Sequence, residues 1–163
     1  MSLIIDGTNG ITFNNSTVQA SAGQVLQVVN ATYGTYVSTA SSTLTDTGLT
    51  ATITPKFSTS KILVIASLNG AGKTNLTAAH FALFRNSTNI KKIDDLVGYT
   101  GASSANLVGS SVISYLDSPS TTSATIYKIQ FASSQNVANA YLNNYWADAG
   151  SITSTITLME IAG

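Results

Sequence analysis

The chain has 163 residues, seven Lys or Arg against seven Asp or Glu, no Cys and one His. A net charge of zero withholds the basic face that nucleic acid or an anionic membrane requires, and the missing thiols exclude disulfide scaffolds, thiolate zinc sites and cysteine nucleophiles. Only 9% of residues are charged, 45 are Ser or Thr and 44% are hydrophobic, a balance that predicts one folded domain with a neutral, hydroxylic surface suited to an assembly.

Residues 1–23 read as an N-terminal arm. The opening MSLIIDGTNG lacks the basic segment and the apolar run of a secretory signal, and no run of 18 apolar residues occurs anywhere. Two short runs, Leu3–Ile5 and Ile11–Phe13, flank Asp6-Gly7-Thr8-Asn9-Gly10, whose Asn-Gly pair can supply the positive φ angles of a tight turn. A short hairpin or extended arm follows from this pattern. Ile4, Ile5, Ile11 and Phe13 are too few to form a core of their own, so they are candidate docking residues for the main domain or for another subunit.

Residues 24–163 read as strands throughout. The candidates are Gln24–Tyr33, Ser42–Ile53, Lys61–Leu68, Ala78–Asn86, Asn106–Asp117, Thr122–Ser133, Val137–Trp146 and Ser154–Gly163, each rich in β-branched residues and bounded by Ser, Gly, Asn or Pro. KILVIASL, Lys61–Leu68, is apolar on both faces and is expected to be a central strand, with a sandwich core on one side and a subunit contact on the other. GAGKT, Gly70–Thr74, mimics the end of a phosphate loop, but the first glycine of that motif would fall at Ser67, and a polar hairpin turn is expected instead. NLTAAHFALFR matches both helical spacing (Leu76, Ala79, His80, Leu83) and strand alternation; the all-β context favours a strand. Lys91 and Lys92 beside Asp94 and Asp95 read as a self-compensating charged turn with too few oxygen ligands for a metal. In the strand Thr122–Ser133, Thr125, Tyr127, Ile129 and Phe131 share one face.

Near the C-terminus, AYLNNYWADAG gathers Tyr141, Asn143, Asn144, Tyr145 and Trp146. Aromatic faces beside amides suit a sugar, and they equally suit a packed core or subunit interface. As a strand the segment would set Tyr141, Asn143 and Tyr145 on one face and Trp146 on the other, which favours packing. Glu160, inside the apolar TLMEIAG, is expected in a structural ion pair or at a sheet edge. No Gly-x-Ser-x-Gly elbow accompanies the lone His80, and no cofactor motif is complete, so no enzyme, cofactor or metal is expected. The fold class these signals predict is all-β, a jelly-roll-like antiparallel β-sandwich.

Gly23–Gly70, with TITPKFSTSKILV at its centre, resembles a module recurrent in structural proteins of tailed bacteriophages, notably those of marine and freshwater bacteria. STITLMEIAG is similar to the closing strand of that module, and DGTNGITFNNSTVQASAG resembles the segment that precedes it in tail-fibre and appendage proteins. The resemblance implies a jelly roll similar to the tumour-necrosis-factor and complement globular heads, a homotrimer, and no catalytic residues. It places the protein on the virion's outer surface, with the arm as a clamp on the major capsid protein or a neighbouring subunit. Only 22 residues precede the module, which suits a small free-standing trimer, and a head decoration or cement protein is the leading expectation. A tail-fibre or spike tip that binds a host-surface glycan is the alternative.

Overall fold

The computed structural model describes residues 4–6, 10–12, 18–19, 23–135, 138–145 and 152–163, and among these there is no helix. Thirteen strands are described: β1 (Ile4–Asp6), β2 (Gly10–Thr12), β3 (Val18–Gln19), β4 (Val25–Tyr33), β5 (Val37–Thr39), β6 (Thr45–Ile53), β7 (Lys61–Lys73), β8 (Ala79–Arg85), β9 (Thr88–Val97), β10 (Asn106–Asp117), β11 (Thr125–Ser133), β12 (Ala140–Leu142) and β13 (Ser154–Ile161). β1, β2 and β3 pair among themselves as a small antiparallel sheet, with Ile5 opposite Ile11.

The remaining strands form two antiparallel sheets packed face to face as a β-sandwich. One runs β4-β13-β7-β10, with β12 and β5 continuing the same side of β7 beyond the end of β13. The other runs β6-β11-β8-β9. Numbered in chain order, the eight long strands fall in the orders 1-8-3-6 and 2-7-4-5. Alternation dictates what each sheet contributes inward. Ile62, Val64, Ala66 and Leu68 of β7 and Ile156 and Leu158 of β13 meet Leu49, Ile53, Phe81, Leu83, Tyr127, Ile129 and Phe131 from the opposite sheet. Phe81 and Phe131, directly opposite in register, stack with centroids 6.2 Å apart.

Several expectations hold at the level of single residues. The segment containing His80 is a strand, β10 spans Asn106–Asp117 as expected, and Thr125, Tyr127, Ile129 and Phe131 all point into the core. Two expected turns are strands instead. The Gly70–Thr74 segment continues β7 as far as Lys73, because β10 and β12 pair with it on both edges and satisfy its backbone. Lys91–Asp95 lies inside the edge strand β9, where alternating charges face water and only one strand edge needs a partner. Of the expected strand Val137–Trp146, the described residues 138–145 form a strand over Ala140–Leu142.

Polar side chains tie the layers together. Asp117, at the end of β10, accepts hydrogen bonds from the Arg85 guanidinium (2.9 and 3.0 Å) and from the Tyr127 hydroxyl (2.6 Å), both on the other sheet. Burial, reinforced by the adjacent Asp117, pushes the Tyr127 phenol well above its ordinary range, so it stays a donor. Glu160 is fully buried but forms no ion pair among the described residues, which corrects the expectation: its carboxylate accepts from the Gln27 amide and from the Lys56 backbone N–H at 2.7 Å, while the Lys56 ammonium reaches the Leu26 carbonyl. Burial opposes ionisation there, yet these donors, the Gln27 amide foremost, hold the Glu160 carboxyl below its ordinary value of 4.5.

A carboxyl whose folded-state pKa is depressed contributes stability above its unfolded pKa and loses it as pH falls through the folded value. Glu160→Gln is therefore expected to lower stability by about 1–3 kcal/mol at neutral pH, with the deficit shrinking below about pH 4. Urea midpoints of the two proteins at pH 7, 4.5 and 3 measure it; a deficit constant across that range contradicts the assignment.

Candidate interaction surface

The outward positions of β4, β13, β7 and β10 form one continuous face, and its composition follows from sequence alternation and register. Val28, Met159, Leu63 and Leu116 lie in one cross-strand row. Asn30, Thr157, Ile65 and Ser114 form the next, and Thr32, Thr155, Ser67 and Val112 the third. Beyond the first row, Ile161 stands between Val25 and Lys61. The face thus grades from apolar at the Val25 end to hydroxylic at the Thr32 end, and Lys61, at its margin, is its one charged side chain among the described residues.

Five of these apolar side chains remain open to solvent: Val25 (54% exposed), Val28 (56%), Ile65 (36%), Val112 (64%) and Leu116 (50%). Isolated exposed hydrophobics are ordinary, but five on one sheet face charged only at its margin form a patch of the kind that contacts another macromolecule. β10 adds an edge that is unpaired among the described residues, with no Lys or Pro along Asn106–Asp117 to discourage a neighbouring chain. The outward-facing ion pairs lie on the other sheet. Its outer face carries the Lys128–Asp46 pair at 2.9 Å and the Lys92–Asp95 pair, with the His80 Nδ1 at 3.3 Å from Asp95.

The C-terminal cluster divides. Tyr141 is buried, its ring tilted against Tyr36 with centroids 6.3 Å apart, and burial raises its phenol pKa. Asn143 does not share a strand face with it. With φ at 57°, Asn143 leaves β12 and turns its buried carboxamide onto the Tyr33 and Thr35 carbonyls (3.0 Å each), while its oxygen accepts from the Ser154 hydroxyl at 2.6 Å. Neither side chain is free to meet a ligand. Asn144 is half-buried and Tyr145 is exposed. Trp146 and Phe13 lie outside the described residues, and Ile4, Ile5 and Ile11 are placed by backbone only.

GAGKT has a structural explanation. The chain at 143–144 crosses Gly70 so closely that a Cβ there would sit 2.4 Å from the Asn144 carbonyl oxygen. Lys73 is fully buried, and its ammonium donates to the Asn75 carbonyl (2.7 Å), the Thr100 hydroxyl (2.9 Å) and the Ala102 carbonyl (3.0 Å). That ammonium is committed to holding the connection between β9 and β10, not to a phosphate. Among the described residues no cluster of three or more His, Asp or Glu could hold a metal ion.

Lys73→Ala is expected to cost about 2–4 kcal/mol, since it empties the space of a fully buried side chain and removes its three hydrogen bonds. Faster amide hydrogen exchange at residues 98–105 should accompany it; unchanged exchange there contradicts the tether. No protein-family model matches the chain, and no curated protein matches it.

Proposed function

We propose that the chain is a structural virion protein of a tailed phage, a head decoration or cement protein that works as a homotrimer on the particle's outer surface. The observation that carries this reading is the outer face of β4-β13-β7-β10, which bears no charge among the described residues but Lys61 at its margin. Copies related by a rotation axis bring identical patches near one another, so a contact is easiest to build where there is no like charge to repel. At about 4.8 Å between strands and about 3.4 Å per residue, four strands of nine residues span on the order of 600 Å². Two such faces bury roughly 1,200 Å², the lower end for a stable interface. Covering the exposed half of the five apolar side chains contributes about 4–7 kcal/mol per chain before the costs of association.

The strand orders 1-8-3-6 and 2-7-4-5 support a jelly-roll winding of two interlocked Greek keys. That agrees with the resemblance of Gly23–Gly70 and Ser154–Gly163 to the phage module, which is also the source of the trimeric state and of the major capsid protein as partner. In this reading the protein reinforces the shell by burying apolar surface across subunit boundaries, with the arm as clamp through Ile4, Ile5, Ile11 and Phe13, and no catalytic step is involved. The second reading, a tail-fibre or spike tip for a host-surface glycan, is favoured by Tyr145, 50% exposed beside Asn144.

Light scattering should give about 51 kDa for three 16.9-kDa chains at micromolar concentration, and Ile65→Lys should give a folded monomer. A wild-type monomer with full β-sheet circular dichroism overturns the assembly reading. Deleting residues 1–20 should leave the sandwich folded, because its strands pair among themselves, yet abolish attachment to phage heads. Truncated protein that binds heads as well as the full chain removes the clamp.

A further inference from the structure

The outer face of the second sheet carries a depression of about 470 Å³ whose origin is a β-bulge. Lys128 pairs with Thr50 and Gln130 with Asp46, so the three residues Thr47, Gly48 and Leu49 stand opposite the single Ile129. Gly48 absorbs the extra length with φ at 91°, and the Tyr33 ring packs so closely beneath it that a Cβ there would lie 2.5 Å from the ring. The strand bends, and the hollow opens between it and the turn after β8. That turn is held in place by Asn86, which donates its N–H to the Ile126 carbonyl at 2.7 Å and accepts the Ile126 N–H on its side chain at 3.0 Å.

We propose that this depression binds one saccharide residue with a methyl-bearing apolar face, an N-acetylated or 6-deoxy hexose. Ile126, 43% exposed, supplies its apolar wall, which suits ring C–H groups and a methyl, while Leu49 and Ile129 lie beneath with their side chains buried in the core. The polar part is fixed before any ligand arrives: Lys128 Nζ lies 2.9 and 3.0 Å from the two Asp46 oxygens, and Gln130 donates to the same carboxylate at 2.7 Å. A carboxylate has lone pairs left for adjacent hydroxyls, and an ammonium has further protons for a ring or carbonyl oxygen. Because the pair neutralises itself, the site asks for hydroxyls, not for an ion. Its volume lies within the range of small-molecule clefts. The hollow is on the sheet opposite the proposed subunit contact, so it stays open in the assembly, and either proposal survives failure of the other.

Saturation-transfer NMR on the full chain tests this, with the methyl glycosides of N-acetylglucosamine, N-acetylgalactosamine, fucose and rhamnose as probes and that of glucose as control. Transfer to the acetyl or C6 methyl of at least one probe, beyond any seen for glucose, is expected. Asp46→Asn should weaken that probe about tenfold, the loss of one hydrogen bond to a charged group. Ser87→Trp, at an exposed turn position on the rim, should fill the hollow and abolish transfer with an unchanged urea midpoint. No transfer to any of the four methyl sugars, or transfer that persists in Ser87→Trp, overturns the proposal; glucose matching the best probe overturns the methyl preference.

Discussion

The backbone hydrogen bonding of β7 is the constraint on which the rest of the sandwich depends. A 13-residue strand is long enough to need two neighbours in succession along one edge: β13 pairs with Lys61–Ser67, and β12 pairs with Gly72–Lys73. Between them the strand would be left with open donors and acceptors. The 143–144 segment closes that gap, with the Asn143 and Asn144 N–H groups donating to the Asn69 and Gly70 carbonyls at 2.9 and 3.1 Å. This crossing requires a glycine at Gly70, and it turns the Asn143 side chain inward, where it staples the bend after β4 to the start of β13. A break in the sheet is thus sealed by local polar chemistry.

Charge is distributed between the sheets in a way that composition alone does not dictate. With few charged residues available, the fold places them where they are compensated or solvated: Asp46 with Lys128, Lys92 with Asp95, Arg85 with Asp117. Glu160 and Lys73, buried ions with no ionic partner among the described residues, are each surrounded by neutral hydrogen-bonding groups that close loops onto strand ends. Removing a partner from a buried ion held this way is costly because it leaves the buried charge uncompensated. The consequence is a sheet face of β4, β13, β7 and β10 left free of charge but for Lys61, and a second face with polar groups arranged around an apolar hollow.

Strands with clear alternation and clean boundaries were legible from the residues. β11 is the plainest case, since Tyr127, Ile129 and Phe131 interleave with Lys128 and Gln130, and burial follows that order. β9 was not legible: Lys91, Lys92, Asp94 and Asp95 read as a turn because an edge strand with a solvated face can be strongly charged and still pair. The glycines of β7 misled for a related reason. Glycine marks a turn when φ must be positive within a loop, but it also marks a strand crossed closely by another backbone, and local sequence does not distinguish the two.

The sequence by itself determined the all-β class, most of the strands, their inward and outward faces, and a surface poor in charge, because these depend on a period of two residues and on composition. Tertiary structure decided the strand order, the hollow over Gly48, the burial of Lys73 and Asn143, and the neutral setting of Glu160. These depend on partners far along the chain: Glu160 meets Gln27 across 133 residues, and Asn143 meets Tyr33 across 110. Periodicity says which side of a strand is buried, while only the packing of one strand beside another says what lies there to meet it.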